Sequence, residues 1–154
     1  MKAAALEIPI FYSCNMSMGI NLLLELARKA ERVLGNGFDV EVIEAHHNQK
    51  IDAPSGTALM IASAVADEAG RQMEYVYDRH ARKEKRTASE IGIHSIRGGT
   101  IVGEHKVIFA GPHEVLTIAH SAQSKEIFAN GALNAAEFLL GQGSGLYTMK
   151  DLIQ

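Results

Sequence analysis

The stretch Phe38-Asp39-Val40-Glu41-Val42-Ile43-Glu44-Ala45-His46-His47-Asn48-Gln49-Lys50-Ile51-Asp52-Ala53-Pro54-Ser55-Gly56-Thr57-Ala58-Leu59 joins a strand, a polar loop and a helix start. Phe38 to Glu44 alternates, the two-residue period of a half-buried strand. A helix is expected from about Gly56 to Ala69, stopping at Gly70. Ser55-Gly56-Thr57 opens it behind Pro54, which cannot donate a backbone hydrogen bond. Unpaired N–H groups and the dipole at a helix start attract anions. Gly56 lets a ligand approach the backbone, and the hydroxyls of Ser55 and Thr57 can add hydrogen bonds. Lys50 brings a full positive charge. His46 and His47 leave the end of a strand, where ligands gather in α/β proteins. Neighbours on a strand point in opposite directions, so the two imidazoles should differ in role. A histidine near its ordinary pKa of about 6.5 can donate a proton at neutral pH. Each residue alone has a plainer reading: a helix cap, a surface lysine, a hydrogen-bonded structural histidine. Their placement between one strand end and one helix start favours a site for an anionic acid that is protonated during reaction.

Outward from this stretch, Ile8 to Tyr12 reads as a short strand. Ser17 reads as the cap of a helix from about Met18 to Leu34, with Leu22, Leu23, Leu26, Ala30, Val33 and Leu34 at helical spacing and Gly35-Asn36-Gly37 as its stop. Residues 71 to 89 are polar and aperiodic, a long loop. Three strands are expected at Ile91–Ile96, Ile101–Ala110 and Val115–Ser121. Short turns at Arg97-Gly98-Gly99 and Gly111-Pro112-His113-Glu114 suggest that successive strands pair antiparallel. A helix from about Ser124 to Leu140 should turn Phe128, Ala132, Ala135, Ala136 and Leu139 inward, with Asn130-Gly131 a weak point. Thr148-Met149-Lys150-Asp151 has capping-box spacing and suggests a last short turn. The fold class is α+β: a mixed sheet covered by helices on one face. Val102, Val107, Phe109, Leu116 and Ile118 give the strands apolar side chains on both faces, so the other face is available for a sheet-against-sheet homo-oligomer.

At 154 residues, with 47% hydrophobic and 21% charged side chains and a net charge of -3, the chain has the composition of one ordinary globular domain. Arg79 to Arg86 is a dense basic run without aromatic partners and reads as a solvated loop, not a nucleic-acid surface. No apolar run approaches membrane-spanning length, and no signal peptide is evident. The single cysteine, Cys14, allows no internal disulfide, which points to a reducing, cytoplasmic setting.

The motif His46-His47-x-x-Lys50-x-Asp52-Ala53-Pro54-Ser55-Gly56-Thr57-Ala58 resembles the signature of 4-hydroxy-tetrahydrodipicolinate (dihydrodipicolinate) reductases, NAD(P)H-dependent oxidoreductases of lysine and diaminopimelate biosynthesis. Asn15-Met16-Ser17-Met18-Gly19, Arg97-Gly98-Gly99, Val102-Gly103-Glu104-His105 and Phe128-Ala129-Asn130-Gly131-Ala132 carry the resemblance along nearly the whole chain. It implies that His46 is the proton donor and that Lys50 is a second donor that also binds substrate. His47, Ser55, Gly56 and Thr57 would hold a carboxylate of a small dicarboxylate substrate. Ser13-Cys14-Asn15-Met16 would touch the nicotinamide end of NADH or NADPH. Arg97 is grouped with these cofactor contacts, while a role near substrate or as a brace of its turn stays open. A homotetramer is implied as well.

The resemblance covers the substrate-binding and oligomerisation domain over residues 1–154, with residues 1–14 as the remnant of an absent N-terminal dinucleotide-binding domain. No strand–turn–helix glycine motif for a pyrophosphate occurs in the sequence. The first strand is therefore expected to be displaced or re-paired, and the isolated chain to be inactive. Two alternatives have different chemistry. One is a metal-binding, hydrolase-like domain using His46, His47, Asp52 and His105. The other is a non-catalytic oligomerisation module.

Overall fold

The alternation after Phe38 does build a strand, and it runs two residues further than the pattern indicated, so that it carries His46 within it. In the computed structural model, which describes residues 1–153, the strands are β1 (Pro9–Phe11), β2 (Asp39–His46), β3 (Glu74–Val76), β4 (Glu90–Arg97), β5 (Gly103–Ala110), β6 (Val115–Ala122) and β7 (Gly145–Tyr147). The helices are α1 (Met18–Leu34), α2 (Gly56–Ala69), α3 (Glu126–Leu139) and α4 (Met149–Leu152). The chain divides into two compact units, one of residues 1–22 with 124 onward and the other of residues 23–123.

The larger unit holds a five-stranded mixed sheet in the order β3-β4-β2-β5-β6. β3, β4 and β2 run parallel, and β2, β5 and β6 are antiparallel. Val40, Val42, Ile91, Ile93, Val107 and Phe109 point to one face and pack there against Ala27 and Ala30 of α1 and Ile61 and Val65 of α2. Helix α2 begins at the N-cap Ser55, whose side chain accepts from the Ala58 amide, and stops at Gly70 with φ 64°. A left-handed residue there favours glycine.

One expected pairing is wrong. β4 and β5 are not neighbours, because β2 lies between them. The turn at Arg97-Gly98-Gly99 crosses the end of β2, where the Gly98 amide donates to the His46 carbonyl and the Asn48 amide to the Gly99 carbonyl. Loop length alone suggested a hairpin. The inward row of β2, which starts with Val40 and Val42, instead takes the centre, where both of its edges are paired and its side chains are most deeply covered. The β5–β6 hairpin is as expected.

Part of the 71–89 segment is β3, too short to show a period. The rest lies over the sheet face opposite the helices, held by arginines. Arg79 pairs with Glu90, and Arg86 pairs with Asp39 and donates to the Val40 and Glu90 carbonyls. The remainder of that face is uncovered, with Ile96 53% and Val115 63% exposed.

In the smaller unit β1 pairs in parallel with β7, a partner the sequence did not reveal. Helix α3 corrects the expected inward face. Phe128, Ala132 and Ala136 are exposed, while Gly131 and Ala135 are buried. The buried stripe passes through Gly131 because a Cβ there would overlap the Met16 carbonyl oxygen. The supposed weak point is the place of closest packing. The capping box at Thr148 and Asp151 is formed.

Candidate functional site

The end of β2 gathers the site because strand period and register act together. Residues two apart share a face, so Glu44 and His46 continue the inward row of Val40 and Val42. The parallel neighbour β4 sets Arg97 beside His46, and the antiparallel neighbour β5 sets His105 opposite Glu44. Helix α2 starts over the same spot.

Glu44 is fully buried and lies at the centre of the group. Arg97 grips it with two parallel bonds, Nη1 to Oε2 at 2.8 Å and Nη2 to Oε1 at 2.7 Å. The Ser55 amide donates to Oε1 at 3.2 Å. His46 Nδ1 stands 2.6 Å from Oε2. Burial pushes the Glu44 carboxyl up, but the bonds from Arg97, Ser95, His46 and the Ser55 amide outweigh it and hold the pKa at about 2. The group is an anion at every physiological pH.

Ser55 has each polar group engaged within the protein. Its amide serves Glu44, and its hydroxyl caps α2 and meets His105 Nε2 at 3.1 Å. The His105 ring stands edge-on to that of His46, with centroids 5.2 Å apart. Burial and the neighbouring His46 charge push the His105 pKa down to about 4, so it is neutral. Gly56 faces open space where a Cβ would lie, as a carboxylate-accepting helix start requires. Thr57 follows in the first turn of α2.

Lys50 sits in the loop, with Nζ 2.7 Å from Asp52 Oδ1. That hydrogen bond lowers the pKa of the exposed Asp52. Arg97 Nη2 also donates to the Asp52 carbonyl at 2.6 Å, which ties the loop to the strand. The pair is unevenly open to solvent, with the Asp52 side chain 60% and the Lys50 side chain 21% exposed. His47 follows His46 at the start of the loop and is half-buried. Among the described residues no three His, Cys, Asp or Glu side chains gather as a metal site would need.

The structure thus brings His46, Lys50, Ser55 and Arg97 into one connected set, with Gly56 and Thr57 at its helix start. Two members were missed in the sequence: Glu44 as its centre and His105 as the partner of Ser55. A signal for Glu44 was present, since it is a carboxylate on the same strand face as Val40 and Val42. Ser13–Met16 belong to the smaller unit and link β1 to α1. There the Asn15 side chain accepts from the Ser17 amide, Asn21 donates to the Asn15 carbonyl, and Cys14 is exposed.

Residues 19–153 match the family model described as dihydrodipicolinate reductase, C-terminus. A 4-hydroxy-tetrahydrodipicolinate reductase of Caldanaerobacter subterraneus subsp. tengcongensis is 60% identical over 154 residues, all of this chain and 61% of the relative. One from Clostridium tetani is 53% identical over 93% of this chain and 56% of its own length. A solved dipicolinate-bound dihydrodipicolinate reductase from Paenisporosarcina sp. TG-14 superposes with a TM-score of 0.75 at 25% identity, covering 95% of this chain and 55% of that one. The chain therefore spans about three-fifths of the length of these relatives. On this match, and on the site at the end of β2, the chain belongs to the dihydrodipicolinate reductase family and corresponds to its C-terminal part.

Proposed function

We propose that this chain supplies the substrate-binding and proton-donating part of an NAD(P)H-dependent reductase. That enzyme would convert 4-hydroxy-tetrahydrodipicolinate to tetrahydrodipicolinate in lysine and diaminopimelate biosynthesis, in the cytoplasm. The observation that carries the reading is the imidazole of His46, held by a buried carboxylate beside a helix start and the Lys50 loop. A twin-acid ring fits this arrangement. One carboxylate meets the first turn of α2 at Gly56 and Thr57, with His47 and Lys50 adding charge, and His46 donates the proton. Lys50 serves as the second donor.

The nicotinamide cofactor supplies the hydride when bound. Residues Ser13–Met16 leave the carboxyl end of β1, a position suited to one end of such a ligand. The β1-to-α1 link has no glycine before Gly19, so this link is not a glycine-rich pyrophosphate cradle. Ser13–Met16 would therefore hold only the nicotinamide end. Arg97 is committed to Glu44 and Asp52, and any cofactor contact it makes would use what remains of its edge.

Grafting this chain in place of the aligned 154 residues of the Caldanaerobacter relative tests the reading. Substrate-dependent NAD(P)H oxidation by the chimera is expected, and a folded chimera without it would defeat the reading. In the same chimera Lys50→Ala should weaken dipicolinate binding by roughly tenfold to a hundredfold, the worth of one charged hydrogen bond. Calorimetry provides the check.

The uncovered sheet face supports a homotetramer built sheet against sheet. Ile43, Ile96, Ile108 and Val115 lie on that face with only partial cover. Light scattering at micromolar concentration should give four times the subunit mass, and a monomer would exclude this assembly.

A further inference from the structure

We infer that Glu44 is a positioning residue that leaves Nε2 of His46 as the proton-exchanging atom, and that position 103 is glycine to keep that atom accessible. This rests on the proposed role of His46 as proton donor. The argument starts from the acceptor. An ionised carboxylate can only accept hydrogen bonds. Glu44, locked as an anion by Arg97, therefore requires a proton on the His46 Nδ1 that stands 2.6 Å away. A neutral imidazole has one proton, so Nε2 must be the nitrogen without it. In the charged ring, Nε2–H is the proton available for transfer, while Nδ1–H stays on the Glu44 carboxylate. After transfer, the N–H bond at Nε2 has broken, its proton has gone to the substrate, and the ring is left neutral with Nδ1–H still on Glu44.

The surroundings of Nε2 agree with this assignment. A Cβ on Gly103 would lie 3.1 Å from His46 Nε2 and 3.4 Å from its neighbouring ring carbon. Contacts that tight are rare, so any side chain at 103 would crowd the exchanging nitrogen or tilt the ring. Gly103 begins β5 and has no positive φ, so no conformational need for glycine is evident at this position. The close approach explains it instead.

The test uses the chimera for kinetics and the 154-residue chain for spectroscopy. Ring 15N shifts should show neutral His46 as the Nδ1–H tautomer, and in Glu44→Gln that preference should be lost. Glu44→Gln should lower kcat at least tenfold with KM for substrate changed less than threefold, because dicarboxylate capture does not use Glu44. Gly103→Ala touches neither Glu44 nor Arg97 and should also lower kcat at least tenfold, so the inference stays testable if Glu44→Gln does not fold. An Nε2–H tautomer in the parent chain overturns the inference. So does parental kcat in either folded variant. These outcomes are separable from failure of the underlying reading, which would appear as full activity in His46→Gln.

Discussion

Replacing His46 with Gln in the chimera should lower kcat by roughly 10²- to 10⁴-fold, the usual contribution of a positioned general acid. Glutamine keeps about the size and a polar end but has no titratable proton. The ring lies at the edge of the core between Glu44 and the edge-on His105, and the largest stabilising contact of Glu44 comes from Arg97. The fold should therefore survive. Dipicolinate affinity should fall only a few-fold, since the proposed function assigns capture of the ligand carboxylates to Lys50 and the start of α2. The decisive pattern is a large loss in kcat with binding kept. A loss of binding equal to the loss in rate would make His46 a substrate anchor and remove the proton-donor role. Steady-state kinetics with calorimetry on the same preparation distinguishes the two.

Arg97→Met should be the most damaging change for folding, roughly 3–5 kcal/mol, because it strands a buried carboxylate without its cation. The parent holds Glu44 at a pKa of about 2, well below the ordinary value of 4.5. A depressed carboxyl adds stability that is complete above the ordinary value and lost as pH falls through about 2. Removing the guanidinium takes away the largest contact that opposes burial, so the carboxyl moves up from about 2. The stability that the depressed carboxyl adds is then reduced at neutral pH, and protonating the side chain removes the difference. The gap between variant and parent should narrow as pH falls from neutral toward about 2. Adding Glu44→Gln to Arg97→Met should recover part of the loss at neutral pH. Urea unfolding across that range measures both effects. A gap that does not change with pH would mean that Glu44 is not the group exposed by the loss of Arg97.

Much of this was readable from local pattern. Helices α1 and α2 follow from periodic leucines and small residues with Ser17 or Ser55 before them and glycine after. The His46–Thr57 motif located the site because its chemistry is concentrated in one short loop. What escaped detection depends on strand order. The β4–β5 junction looks like a hairpin because a five-residue link carries no record of the strand it crosses. Glu44 and His105 lie 61 positions apart in the sequence, and only the β2–β5 register sets them opposite. The face of α3 was misread for a different reason. Apolar periodicity favours large residues, but there the backbone approaches Met16 so closely that the contact belongs to Gly131.

Strand β2 has a ladder on each side, with β4 and β5 as its flanks. Thermal breathing in a sheet begins at the outer ribbons, here β3 and β6, and reaches the middle last. The carboxylate–imidazole pair rides on that middle ribbon. Its geometry is therefore insulated from fraying at the rims and persists until the sheet as a whole gives way.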